Sequence, residues 1–325
     1  MDQKLQSAVS ESANVAAKPP VQPKKLGPVL GFVSGGIAAC GAVTLTNPFE
    51  IIKTRFQLQG QLTKVDTSKK IYKSVPQAFR LIAKHEGIRG LQRGLGTAYI
   101  YQLFLNGCRL GFYDPIRSYL NRSFLKDPKG NSVTINVLSG AGSGFFGALF
   151  GSPFFLIKTR MQSYSPVFPI GEQYGYKHIL DGFKRIVHEN GVRGIFAGAD
   201  AAIIRTVSGS AVQLPIYNWA KRTIEHNNLM KEGTLKHLTA SSISGFGVCC
   251  CMQVFDTVMT RMYNQKNKEL YKNPLDCILK TVRAEGFFAL YKGFGAHLAR
   301  IAPHTIFTLT FAEQTNKLFS RFSKD

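Results

Sequence analysis

Acidic residues are scarce in this chain. Nineteen Asp and Glu stand against 41 Lys and Arg, a formal net charge of +22 over 325 residues. A surplus of that size points to an anionic partner: nucleic acid, anionic lipid or a small anion. Nucleic-acid binding calls for basic residues interleaved with exposed aromatics; here the basic residues follow a repeated phrase and gather in polar connectors. Six cysteines form no Cys-x-x-Cys pair and no zinc-like spacing to histidine, so neither metal nor cofactor is expected. Cys249, Cys250 and Cys251 are consecutive in an apolar stretch, where a helix points them in three directions as small packing residues. There is no Gly-rich phosphate loop, nucleophile elbow or metal constellation, which argues against an enzyme. Residues 1–26 lack arginine and an apolar run, which predicts a disordered N-terminal extension rather than a transit peptide or secretory signal.

What the chain does have is one phrase written nearly three times. Residues 48–57 read PFEIIKTRFQ, 153–162 read PFFLIKTRMQ and 254–263 read VFDTVMTRMY, at spacings of 105 and 101 residues. Each is followed by a second phrase: EGIRGLQRG at 86–94, NGVRGIFAG at 190–198 and EGFFALYKG at 285–293. Such periodicity means three copies of one unit forming a single body. Repeats are expected at 27–122, 133–226 and 236–320.

Residues 31–46, 137–152 and 239–254 carry no charge and run into the first phrase, predicting helices of about 25 residues or more, enough to span a bilayer. Small residues at turn spacing (Gly31 with Gly35, Ser143 with Gly147, Ser241 with Gly245) suit close helix approach in lipid. A second apolar helix follows each second phrase, near 96–120, 200–224 and 295–319, making six spans with both termini on one side. A mean hydropathy of −0.04 is low for such a protein because polar connectors, such as 59–70 and 163–175, dilute the spans. Residues 72–84 and 177–187 have helical periodicity, with Ile179, Phe183 and Ile186 on one face, predicting short surface helices.

Ionisable residues inside spans are costly and usually functional. Arg109, Arg205 and Arg300 qualify, and the same helices offer no mid-span acid to neutralise them. Three unpaired guanidiniums would need anions, and their planar forks suit carboxylates. A small dianion is the implied ligand.

The two phrases resemble the signature of the mitochondrial carrier family: Pro-x-acid-x-x-base, then acid-Gly-x4-aromatic-base-Gly. The likeness covers residues 27–320. It implies an all-α membrane protein of the mitochondrial inner membrane, with six transmembrane helices in three pseudo-threefold repeats around a central cavity, short matrix-side surface helices, alternating access, surrounding lipid including cardiolipin, and action as a monomer. It also implies pairs between the acid of one odd helix and the base of the next: Glu50 with Lys158, Asp256 with Lys53, and Phe155 with Met259 as an apolar third. Gln57, Gln162 and Tyr263 fall at the family's brace positions beneath this matrix gate. On the even helices the resemblance pairs Asp114 with Lys221 and Glu313 with Arg117, leaving Asn218 and Asn316 as the neutral pair of a cytoplasmic gate.

The sequence departs from the signature at Gln92, Phe155, Asn190, Ala197, Val254 and Met259. Loss of proline at 254 leaves the fifth spanning helix straighter, or bent by Gly245 and Gly247.

Residues 300–313 (RIAPHTIFTLTFAE) and 109–111 (RLG) are similar to 2-oxoglutarate and dicarboxylate carriers, and Arg205-Thr206 matches a contact pair linked to keto and carboxylic acids. Tyr101, with apolar Leu105 and Arg109 along the same helix, stands where the 2-oxoglutarate branch has an arginine, which suggests a smaller or differently shaped anion than 2-oxoglutarate. Residues 98–102, 212–218 and 261–265 resemble a fungal branch that carries oxaloacetate. The implied function is transport of oxaloacetate and related dianions (sulfate, thiosulfate, malonate-like dicarboxylates), coupled to protons, with dicarboxylate or 2-oxoglutarate/malate exchange as the alternative. His304 is expected to be the cavity's only histidine: a packing residue, or a proton carrier.

Overall fold

The computed structural model describes residues 28–62, 70–124, 132–226, 234–266 and 269–322; the N-terminal extension therefore lies outside the described residues. Among the described residues nine α-helices follow one another: α1 Pro28–Leu58, α2 Val75–Leu91, α3 Leu95–Phe124, α4 Val133–Ser163, α5 Ile179–Asn190, α6 Ala199–His226, α7 Thr234–Asn264, α8 Pro274–Glu285 and α9 Phe294–Phe322. Two 3-10 turns, Val192–Phe196 and Phe287–Tyr291, lead into α6 and α9. The six long helices have 28 to 31 residues, about 42–46 Å each at the usual rise.

By length and composition alone, Thr134–Ser163 and Ser242–Asn264 qualify as membrane spans. Polar groups lower the apolar character of the other long helices. In α1, for example, Asn47, Thr54, Arg55 and Gln57 are buried. The long helices are neighbours in the order α1, α3, α4, α6, α7, α9 and back to α1, with the pairs α3–α4, α6–α7 and α9–α1 packed most extensively. The odd helices α1, α4 and α7 also meet one another directly.

Small residues admit this packing, though not all at the expected places. A Cβ at Gly35 or Gly245 meets nothing within 4 Å, whereas one at Gly41 would lie 2.8 Å from Phe311, and Gly142 and Gly247 face Ile116 and Ile216. The contacts that decide helix approach lie on the α1–α9, α3–α4 and α6–α7 seams, which a single helix pattern does not reveal. Cys249 is buried, Cys250 half-buried and Cys251 exposed.

Each odd helix continues through its signature. Pro48 has no N–H for the carbonyl four residues earlier, and Gln92 Nε2 donates to that Thr44 carbonyl at 2.9 Å. Asn47 Nδ2 in turn donates to Gln92 Oε1 at 3.2 Å. The departure at position 92 thus supplies a donor to the carbonyl that proline leaves open.

The short helices α2, α5 and α8 close the same end of the bundle. Ile186 of α5 is fully buried, with Ile179 and Phe183 packed against the same core. Glycines 94, 198 and 293 have φ of +75°, +83° and +81° and lie against the next repeat, Gly293 with its Cβ position 3.0 Å from the Lys53 carbonyl. Both facts reserve these corners for glycine.

Candidate functional site

Where the odd helices converge, acids and bases spaced three apart on one helix face meet partners on neighbouring helices. Lys158 Nζ lies 2.5 Å from Glu50 Oε2, and Lys53 Nζ 2.5 Å from Asp256 Oδ2. Phe155 and Met259 share one apolar cluster. The Phe155 ring packs on Tyr101 and Tyr263 at centroid distances of 4.8 and 5.4 Å, with Lys158 Nζ 5.3 Å from it.

The arginines correct an expectation. Arg300 Nη1 donates to Glu50 Oε1 at 2.5 Å, and Arg205 Nε pairs with Asp256 Oδ1. They are not unpaired guanidiniums: their acids come from α1 and α7, and a carboxylate has two oxygens, each able to hold a cation. The result is a cluster of four cations (Lys53, Lys158, Arg205, Arg300) on two carboxylates, a surplus of two positive charges. Asp256 is 2% exposed and Glu50 16%. Arg300 Nε is buried with no hydrogen-bond partner among the described residues.

Beneath the cluster lies a layer that the pairing argument missed. Arg55, Arg160 and Arg261, one per repeat, are almost fully buried. Their Nε atoms donate to the carbonyls of Gln162, Tyr263 and Gln57 in the next repeat, at 3.3, 3.0 and 3.1 Å. Arg55 holds Glu86 through both Nη atoms (2.5 and 2.9 Å), and Arg261 holds Glu285 likewise (2.6 and 2.9 Å). Burial pushes the Glu285 carboxyl up, but Arg261 and Lys292 outweigh it and hold the group below the usual carboxylate range. Glu86 is shifted the same way by Arg55 against its burial. The signal was present in the sequence: the Arg of each first phrase recurs in all three repeats.

In the second repeat Asn190 replaces that acid. Arg160 Nη1 donates to Tyr176 Oη at 3.0 Å, as Arg55 does to Tyr72, while Nη2 turns to the Gln265 carbonyl at 3.3 Å and the guanidinium stacks 4.1 Å over Tyr174, whose hydroxyl burial pushes up to about 12. Asn190→Glu should therefore raise the thermal unfolding temperature in detergent, by about 1 kcal/mol of net stability. An unchanged or lower transition would show that the tyrosines already satisfy Arg160.

The brace positions tie helices together rather than reaching the ion pairs. Gln57 accepts from Thr260 Oγ1 at 2.8 Å and donates to Thr257 at 3.2 Å; Gln162 donates to Asn47 Oδ1 at 3.0 Å. The Tyr263 hydroxyl bonds Ser152 at 2.8 Å instead of an ion pair, because its neighbouring link, Phe155 with Met259, is apolar.

Tyr101 stacks near the cluster, with Lys158 Nζ 5.4 Å from its ring, and Leu105 is half-buried on the same helix. Thr206 Oγ1 donates to the Ala202 carbonyl at 2.8 Å. His304 Nδ1 lies 3.3 Å from Thr46 Oγ1. It is not the only histidine near the cluster: His297 of α9 is buried and its Nδ1 stands 3.5 Å from Asp256 Oδ2. The side chains of Arg109, Asn218, Lys221 and Asn316 lie outside the described residues. Of the other cytoplasmic-gate positions, Asp114 and Glu313 are exposed and Arg117 is half-buried.

A family model described as mitochondrial carrier protein matches residues 24–124, 129–228 and 231–323. The chain is 78% identical over 320 residues to a mitochondrial oxaloacetate transport protein of Schizosaccharomyces pombe, covering 98% of this chain and 100% of that one. It is 57% identical over 290 residues to the protein of the same name from Saccharomyces cerevisiae (88% and 89% covered). To mitochondrial citrate transporter E of Aspergillus niger it is 52% identical over 290 residues (89% and 93% covered).

Proposed function

The chain belongs to the mitochondrial carrier family, as a multi-pass protein of the inner mitochondrial membrane, and from that premise we propose that it carries oxaloacetate and other small dianions by alternating access, as a monomer. The observation that supports this reading best is the charge count of the buried cluster. Four cations on two carboxylates leave a surplus of two, which one dianion cancels. Arg205 on α6 and Arg300 on α9 present guanidiniums from two helices, one for each acidic end of the ligand. The printed names of the two fungal oxaloacetate relatives point to the same substrate.

In this reading the cluster is the matrix gate in its closed form. A dianion that takes over Arg205 and Arg300 leaves Asp256 and Glu50 held by one lysine each. The remaining links are then easier to break, and the ligand shifts the equilibrium by as much as it favours the open form.

Uptake of labelled oxaloacetate, sulfate, malate, 2-oxoglutarate and citrate by the purified carrier in liposomes tests the assignment. Oxaloacetate and sulfate should be taken up fastest; preference for citrate or 2-oxoglutarate would overturn it. The gate has two ionic links and one apolar link where a fully charged ring would have three ionic links. Net uptake into empty liposomes is therefore expected. Uptake that requires internal substrate would mark an obligatory exchanger.

A further inference from the structure

We propose that His297 is the group that takes up the proton moved with each dianion, an inference that rests on the transport reading above. His297 is buried in α9, one turn before Arg300. Its Nδ1 lies 2.8 Å from Gln253 Oε1. The Gln253 amide is oriented by its other end, where Nε2 donates to the Lys292 carbonyl at 2.7 Å. A carbonyl can only accept, so Gln253 turns its own oxygen to the ring and the Nδ1 proton points at it. A second proton must then enter at Nε2.

The charged groups that act on the imidazole are Lys53 of α1, Arg205 of α6, Asp256 of α7 and Arg300 of its own helix. Asp256 stands 3.5 Å from Nδ1, yet both its oxygens are already taken, by Lys53 and Arg205. An imidazolium added to this closed cluster would raise the surplus from two charges to three.

Two events in transport remove that opposition. A bound dianion cancels the surplus. Opening of the gate withdraws Lys53, and an imidazolium can take its place beside Asp256, sparing that carboxylate an uncompensated burial. The bound dianion lets a proton from the side of entry add to Nε2, the imidazolium stays beside Asp256 while the gate opens, and the proton leaves to the far side after the dianion, as Lys53 returns. Protonation and gate opening favour one another by the same factor. One proton travels with one dianion, and no bond beyond N–H is made or broken.

The test uses the full-length carrier in liposomes, with labelled sulfate as the dianion and an internal pH dye. External pH is varied between about 6 and about 8, where a histidine changes charge. The wild type should show uptake several-fold faster at the acid end, with internal acidification that accompanies sulfate. In His297→Gln, whatever its absolute rate, the ratio of uptake at the two pH values should fall to one and the dye signal should vanish. His304→Gln should keep both signals. Should His297→Gln fail to insert, Gln253→Glu provides the second arm. A carboxylate facing Nδ1 favours the imidazolium, so the midpoint of the pH profile should move to higher pH.

Persistent proton co-uptake in His297→Gln, loss of it in His304→Gln alone, or an unmoved midpoint in Gln253→Glu would overturn the assignment. Sulfate uptake by the wild type with no proton signal would defeat this inference while leaving dianion transport standing. No uptake of any dianion would defeat the transport reading itself.

Discussion

Arg205→Lys should lower dianion uptake about ten- to a hundredfold, the loss of one charge-assisted hydrogen bond of roughly 1.5–3 kcal/mol. The substitution keeps the surplus of two charges, so it separates charge from geometry. Arg205 reaches Asp256 through Nε, which leaves the outer nitrogens of its planar fork to hold a carboxylate of the substrate. A lysine offers a point charge with no second donor in a fixed plane. Arg300→Lys should behave alike, since Arg300 engages Glu50 through Nη1 only and Nε is without a partner among the described residues. Arg205→Gln should be worse still, because the surplus falls to one. The measurement is initial uptake rate in liposomes with insertion checked by limited proteolysis. Near-normal uptake by correctly inserted Arg205→Lys would remove this residue from the substrate site.

Phe155→Glu should abolish most transport, and Met259→Lys added to it should restore a part. The ring of Phe155 lies among Tyr101, Tyr263 and the Lys158 ammonium. A carboxylate there is buried without a dedicated partner, a change on the order of 3–5 kcal/mol. It would also draw Lys158 from Glu50, spoiling a second link. A lysine at 259, where Met259 is 4% exposed, would supply the missing cation and rebuild the third ion pair of the ring. The coupling energy from a double-mutant cycle on uptake and on thermal unfolding is the readout. Additive effects of the two changes would mean that positions 155 and 259 do not face one another.

Much of this arrangement was legible in the chain because the repeats vary together. The family resemblance pairs the acid of one odd helix with the base of the next, and the complementary loss at Phe155 and Met259 agrees with that pairing. The spans were legible from uncharged runs, and the amphipathic face of α5 from Ile179, Phe183 and Ile186. What stayed hidden depends on neighbours rather than on the helix itself. Arg205 and Arg300 looked unpaired because the acids that hold them sit on α7 and α1, about 50 and 250 residues distant in sequence. Gln92 looked like a lapse from a pattern, and only the backbone shows that it serves the Thr44 carbonyl. His297 carried no motif of its own, and its relation to Asp256 exists only once α7 and α9 are side by side.

The three buried arginines carry a consequence for the architecture. Arg55 grips the second repeat, Arg160 the third, and Arg261 the first. A linear stack of repeats has two end members that need capping; this one has none, because the last hand is placed back on the first shoulder. Removing any single repeat would strand one guanidinium without its acceptor carbonyl and one carbonyl without its donor, so partial assemblies gain little. Which repeat comes first is then an accident of where the peptide is left open. Between α9 and α1, packed as closely as α3 on α4 or α6 on α7, the circle is complete in space although the chain is not.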